Sequence, residues 1–284
     1  MENKMITTVN FHLTKACNMK CKYCFAEFKN VFSQIGLANQ LKTIRLLKED
    51  GFKKINFVGG EPFLIKHFEK LLKYASELGF ITSIVTNGTL ITDEFLKSMH
   101  SFIDMIGVSI DSLNADTNGD IGRKTSTMTP DRNYYLNLCK QIKSYGIDLK
   151  INTVVSKFNF DESYKDFIKD VEPIRWKIFQ VLEIEGENSI KDMKISNEEF
   201  KHFIDNNHID GLSIIGEDNE LMTGSYIMID PMGRFFDNTN VGYALSKQIS
   251  EIGVKKALSE IKFSVDKFIL RDGNYHEHKI KNIA

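Results

Sequence analysis

Three cysteines stand close together as Cys17-Asn-Met-Lys-Cys21-Lys-Tyr-Cys24, a C-x3-C-x2-C spacing. Thiolates are soft ligands that select zinc, copper and iron-sulfur clusters. Three on one short loop can hold three irons of a four-iron cluster and leave the fourth open to an exogenous ligand. A zinc site would need a fourth protein ligand, for which His12 and Cys139 are candidates, and three unliganded core cysteines are a further reading. Cys139 stands among apolar neighbours in the helical pattern NYYLNLCKQI and reads as a packed small hydrophobe. Disulfides between neighbours this close would waste their cross-linking capacity, and in a reducing compartment such a cluster reads as a soft-metal site.

A second set of chemically capable residues occupies alternate positions of strand-like runs: Asn10, His12 and Thr14; Lys54 and Asn56; Lys150 and Asn152; Arg175 and Lys177. A period of two puts each group on one face of its strand. If those faces line an interior, four cations converge on one cavity. Buried unpaired cations are costly, so the arrangement requires carboxylate partners or a multiply charged ligand. A nucleoside triphosphate has the matching charge, and Arg and Lys are usual phosphate partners. The alternatives are that these faces meet solvent, or that Asp148 and Glu183 neutralise them.

The elements that must carry these residues alternate between β-branched runs and amphipathic helical stretches. Strands are predicted at 7–14, 53–60, 81–88, 104–111, 147–155 and 174–182, with helices at 67–78 and 92–102 and a third starting at the Ser196-Asn-Glu-Glu capping box. Repeated βα units make an α/β protein with a parallel sheet, either a partial (βα)6 barrel or a doubly wound sheet. The cysteine loop follows the first strand, at the carboxyl end of the sheet where ligand sites of βα proteins gather. Residues 1–205 form the core, and 206–284, with a late helix near 249–261, form an appended C-terminal region expected to cover the substrate site. The chain has 284 residues, 42% hydrophobic, enough for a large core, and its net charge of −1 excludes a globally basic nucleic-acid binder. No long apolar run and no signal-like start are present, so a cytoplasmic protein without membrane attachment is expected.

The cysteine motif, with the aromatic Tyr23 before its third cysteine, resembles the radical S-adenosylmethionine (SAM) enzymes. Gly59-Gly60-Glu61-Pro62 is similar to that family's GGEP segment, and Thr86-Asn87-Gly88 and Ser109-Ile-Asp111 end the third and fourth strands where the family contacts SAM. The resemblance implies a partial (βα)6 TIM-type barrel and a [4Fe-4S] cluster on Cys17, Cys21 and Cys24. It also implies SAM bound by Tyr23, Phe25, Gly59, Gly60, Glu61, Thr86, Asn87, Ser109 and Arg123, and a flavodoxin- or ferredoxin-like electron donor.

VNFHLTKACNMKCKYCFA, KKINFVGGEPF, LKINTVVSKFN, Pro-Ile-Arg-Trp-Lys-Ile-Phe-Gln, Ile-Glu-Gly-Glu-Asn and SYIMIDPMGRFFDNT resemble, more narrowly, the viperins, a family of antiviral radical SAM enzymes. That resemblance implies removal of the 4′ hydrogen of CTP, UTP or GTP by a 5′-deoxyadenosyl radical. Loss of the 3′ hydroxyl as water, with one further electron and proton, then yields a 3′-deoxy-3′,4′-didehydro chain terminator. Lys54, Lys150, Arg175 and Lys177 match positions that hold the triphosphate, with Asn10, Asn56 and Asn152 beside the nucleotide and Tyr226 as the hydrogen or proton donor. A monomer acting on a free nucleotide rather than a nucleic acid is expected. Val58, Val181 and Asp237-Asn238-Thr239 depart from the family pattern. The rivals are a radical SAM enzyme for a peptide or RNA and a non-catalytic zinc-binding adaptor.

Overall fold

Side chains along the six expected strands alternate between two environments, and a computed structural model describing residues 7–240 and 242–275 shows what these are. On one face Val9, Phe11, Leu13, Ile55, Phe57, Ile84, Ile106, Ile151, Trp176 and Ile178 are buried in a single apolar core beneath the helices. On the other, Asn10, Lys54, Asn56, Lys150, Asn152, Arg175 and Lys177 face an interior.

In chain order the elements are β1 (Thr8–His12), α1 (Leu37–Glu49), β2 (Lys54–Val58), α2 (Phe68–Glu77), β3 (Ile81–Thr86), α3 (Asp93–Met99), β4 (Met105–Ser109), α4 (Ala115–Asp120), α5 (Arg132–Ser144), β5 (Asp148–Val155), α6 (Lys165–Val171), β6 (Arg175–Gln180) and α7 (Asn197–Asn206). There follow β7 (Ile214–Glu217), α8 (Asn219–Met222), β8 (Met228–Ile229), β9 (Arg234–Asp237), β10 (Ala244–Gln248), α9 (Ile249–Ile252), α10 (Val254–Leu258) and α11 (Val265–Leu270). The ten strands form one sheet in the order β10-β9-β8-β1-β2-β3-β4-β5-β6-β7. From β8 through β7 every neighbouring pair is parallel, and only β9 is reversed, antiparallel to both its neighbours β8 and β10. The order β1 to β7 follows the sequence without a reversal, which excludes the doubly wound sheet and makes the fold a partial barrel.

The chain after residue 205 adds to both margins of that sheet. Strand β7 pairs with β6, while β8 pairs with β1. These strands escape sequence patterning because β7 has four residues, one of them glycine, and β8 has two. The late helix is split at Gly253, which takes a φ of 81° between α9 and α10. The capping box at the head of α7 is present: Ser196 Oγ accepts from Glu199 N at 3.2 Å and the Glu199 carboxylate accepts from Ser196 N at 2.7 Å. Cys139 is fully buried in α5.

Candidate active site

The loop after β1 carries the three cysteines and is tied down on three sides. Its backbone meets the turn after α4, with Lys20 N donating to Gly122 O at 3.2 Å and Lys22 N to Ile121 O at 3.0 Å. The loop carbonyls of Thr14 and Ala16 accept from Gly60 N at 2.6 Å and Glu61 N at 2.8 Å. A β-carbon on Gly60 would stand 2.3 Å from Ala16 O, so this approach requires glycine. From the third side Asn188 Nδ2 donates to Tyr23 O at 3.0 Å and Glu187 accepts from Lys29 N at 3.1 Å, which gives the Ile-Glu-Gly-Glu-Asn segment its task.

Held in this way, Cys17, Cys21 and Cys24 border one cavity with half-buried thiols. Met19 N donates to Cys17 Sγ at 3.4 Å, and Arg123 Nη1 donates to Cys21 Sγ at 3.5 Å. Donors aimed at sulfur stabilise the thiolate form that ligates metal. Burial pushes the free Cys24 thiol up to about 12, so these sulfurs become thiolates against a metal rather than alone. Among the described residues no group of three His, Cys, Asp or Glu could hold a single metal ion. A cluster, whose irons are separate points, fits such a rim. His12 does not complete a zinc site: its ring is packed edge-on among Phe25, Phe28 and Phe236, where burial keeps it neutral, its pKa lowered to about 3.

Next to the cysteines, Asp111 organises the wall. It forms a buried ion pair with Arg123 at 2.8 Å, accepts from the Tyr23 hydroxyl and accepts from Val154 N at 2.7 Å. Arg123 Nη2 also donates to Ser109 O at 2.8 Å. Glu61 stands behind the wall rather than on it. Its carboxylate accepts from Thr86 Oγ1 at 2.8 Å, Asn87 N at 3.0 Å and Phe63 N at 3.3 Å, and so fixes the two residues that do face the cavity. Burial raises the Glu61 carboxyl pKa to about 7.

The cavity measures about 1070 Å³, at the top of the range of about 300–1,000 Å³ usual for small-molecule pockets. One cavity is bordered by the cysteines, by Tyr23, Phe25, Gly59, Gly60, Thr86, Asn87, Ser109 and Arg123, and by Asn10, Asn56, Lys150, Asn152, Lys177 and Tyr226. Three expected residues are not on its wall: Glu61, Lys54 and Arg175. Tyr275 covers the last two, its ring centre 3.5 Å from Lys54 Nζ and 4.1 Å from Arg175 Cζ.

Two of the four cations have carboxylate partners that sequence reading did not find. Arg175 pairs with Asp272 at 2.5 Å and Lys177 pairs with Glu217, whereas Glu183 pairs with Lys194 at 2.6 Å. Burial, reinforced by Arg175, lowers the Lys150 pKa to about 7, and burial lowers that of Lys54 to about 8. The Lys150 stem lies against Gly107, where a β-carbon would come within 2.8 Å of its Cε. Arg271, also unforeseen, stacks on Tyr226 with its Cζ 3.6 Å from the ring centre. Asp272 and Tyr275 lie in a turn after a short helix, where no periodicity marks them.

A parallel partial barrel with three cysteines on the loop after its first strand defines the class, and a model of the radical SAM superfamily matches residues 11–171. An S-adenosylmethionine-dependent nucleotide dehydratase of Flammeovirga pacifica is 46% identical over 281 residues, covering 96% of this chain and 97% of that protein. The S-adenosylmethionine-dependent nucleotide dehydratase RSAD2 of Siniperca chuatsi is 36% identical, covering 95% and 78%. The chain belongs to the radical SAM superfamily and, within it, to the family of these relatives. Solved structures agree on the fold. Native anSMEcpe with bound AdoMet matches with a TM-score of 0.65 at 17% identity over 93% of this chain and 82% of that one. Streptococcus suis SuiB bound to S-adenosylmethionine matches with 0.63 at 20%, and there the chain spans 59% of the other's length.

Proposed function

We propose that this chain is a nucleotide dehydratase that converts a ribonucleoside triphosphate to its 3′-deoxy-3′,4′-didehydro analogue. The observation that supports the reading is that a single cavity is bordered both by the three half-buried thiols of the loop after β1 and by the buried strand lysines Lys150 and Lys177. A [4Fe-4S] cluster on Cys17, Cys21 and Cys24 with SAM, when bound, supplies the 5′-deoxyadenosyl radical that takes the 4′ hydrogen. The protein's own work is placement. Tyr23, Ser109, Thr86, Asn87 and Arg123 hold the SAM end, with Glu61 fixing Thr86 and Asn87 from behind and Asp111, on the wall beside them, fixing Tyr23 and Arg123. Lys150 meets the triphosphate as a buried cation, and Asn10, Asn56 and Asn152 orient the sugar and base through neutral hydrogen bonds.

Lys54 and Arg175, covered by the Tyr275 ring, meet the triphosphate once that side chain moves aside. Among the described residues no helix is long and apolar enough to cross a membrane. The reading places the protein in the cytoplasm as a monomer, supplied with electrons by a flavodoxin- or ferredoxin-like donor and acting on free nucleotide rather than nucleic acid.

The test is anaerobic reconstitution with iron and sulfide, addition of SAM and dithionite, and separate challenge with CTP, UTP, GTP and ATP. One triphosphate is expected to raise 5′-deoxyadenosine and to yield its dehydrated mass. Lys150→Met is expected to raise the apparent KM for that nucleotide about tenfold or more, the worth of a charged hydrogen bond, with SAM affinity unchanged. Deoxyadenosine formation indifferent to every triphosphate would overturn the reading.

A further inference from the structure

Three side chains meet where the β6–β7 margin of the sheet is joined to the segment that leads into β8. Lys177 comes from β6, Glu217 ends β7, and Tyr226 stands two residues before β8. Lys177 and Tyr226 border the cavity, while Glu217 is fully buried behind them. The Lys177 ammonium pairs with the Glu217 carboxylate and donates to Tyr226 Oη at 3.0 Å, and the Tyr226 hydroxyl donates to Glu217. A buried carboxylate is a costly way to close a seam, since apolar side chains would close it without desolvating a charge.

The directions of the hydrogens assign the roles. The phenolic hydrogen of Tyr226 is turned onto Glu217, away from the cavity, and its oxygen is occupied by Lys177. Lys177 has three N–H donors. Two are engaged at the seam, and the third has no acceptor among the described residues. Of the triad, the ammonium is therefore the group that presents a proton to a ligand in the cavity.

Resting on the dehydratase reading, we infer that Glu217 is a positioning residue that fixes Lys177 as the general acid for loss of the 3′ hydroxyl. In that step the 3′ carbon–oxygen bond breaks with its electron pair on oxygen. One proton passes from the Lys177 ammonium to that oxygen, which leaves as water, and Lys177 becomes a neutral amine paired with Tyr226. The sugar has by then lost a hydrogen atom and a hydroxide. It takes one electron from the low-potential electron-transfer donor and closes as the neutral 3′,4′ alkene, and Lys177 regains its proton from water when product leaves. The charged and titratable groups facing Lys177 are Glu217, Tyr226, Lys150 and Arg271. Burial lowers its pKa to about 7; Glu217 opposes that shift, and Arg271 and Lys150 add to it.

The test uses the cluster-loaded protein and reads three quantities: didehydro nucleotide formed per 5′-deoxyadenosine, the pH dependence of that ratio, and the nucleotide Kd. Glu217→Gln is expected to keep deoxyadenosine formation while the ratio falls by up to about tenfold at pH 8. Its descending limb moves about one pH unit lower, because Lys177 loses the anion that holds its proton. Lys177→Arg keeps the cation but cannot release a proton, so the nucleotide Kd holds within about threefold while the ratio collapses. A merely structural role would lower deoxyadenosine and product together and leave the limb in place. A ratio unchanged in Lys177→Arg overturns the inference, and that variant carries the test if Glu217→Gln fails to fold. If the wild-type chain dehydrates no triphosphate at all, the dehydratase reading is what falls; if it does and both variants stay coupled, only the assignment of Glu217 and Lys177 falls.

Discussion

Gly60→Ala tests whether the second βα loop holds the cysteine loop in place. The added methyl would lie 2.3 Å from Ala16 O, 2.6 Å from Lys15 O and 2.7 Å from Ala16 C, contacts that real β-carbons do not make. All three neighbours are backbone, so no side chain can swing away. Relief requires the two loops to part, which breaks the bonds from Gly60 N to Thr14 O and from Glu61 N to Ala16 O. Overpacking costs about 1–3 kcal/mol and each lost backbone hydrogen bond about 1 kcal/mol, so the change destabilises by roughly 3–5 kcal/mol. At about 2–4 °C per kcal/mol for a chain somewhat shorter than this one, Tm drops by roughly 6–20 °C. The assay is anaerobic thermal unfolding together with iron and sulfide content per chain, both of which fall. Gly119→Ala in α4 is the control, because nothing lies within 4 Å of its added carbon, and helix propensity makes it neutral or up to about 1 kcal/mol stabilising. A Gly60→Ala protein with full iron content and a Tm within 2 °C, about the shift of 1 kcal/mol, would refute the reasoning.

His12→Phe should flatten the acid limb of the stability curve. Its folded pKa is lowered to about 3 from 6.5, so between those values the unfolded chain binds the extra proton, and stability is complete above about pH 6.5 and falls as pH drops. At pH 5 the wild type forgoes about 2 kcal/mol through this residue, and urea titrations at pH 5 and 7.5 should show that difference vanish in the variant; an undiminished difference would place the acid sensitivity elsewhere. Asp111→Asn leaves Arg123 buried without its counter-charge and should cost about 3–5 kcal/mol, with part recovered in Asp111→Asn/Arg123→Met. Denaturation of the four proteins measures the coupling, and strictly additive effects would show that the pair does not act as a unit.

The inner face of the barrel was legible because a period of two is a local property: Lys54 with Asn56 and Arg175 with Lys177 sort to one side whatever lies across from them. The cysteine loop was legible for the same reason, its spacing being contained in eight residues. Glu217, Asp272 and Tyr275 were not. Each acquires its meaning only from partners brought together by the sheet, Glu217 from Lys177 and Tyr226, Asp272 from Arg175. Glu61 shows a subtler limit. Its position at a strand end was readable, yet the direction of its side chain depends on Thr86 and Asn87, a strand away. The strand β7 was missed because four residues with a glycine carry too little alternation to register.

The placement of β7 beside β6 and of β8 beside β1, on opposite sides of the six strands between them, has a consequence for the making of the protein. A chain leaves the ribosome amino end first, so β1 to β6 and the cysteine loop are complete while the segments that flank them on either side are still unsynthesised. Throughout that interval the lysines of the inner face remain in water, where a charge is cheap to keep. Dehydration of that face, and with it any hold on nucleotide, waits for the last quarter of the chain. A product terminated near residue 205 would be an open trough with a cluster loop at its rim, able to meet iron and unable to enclose a substrate.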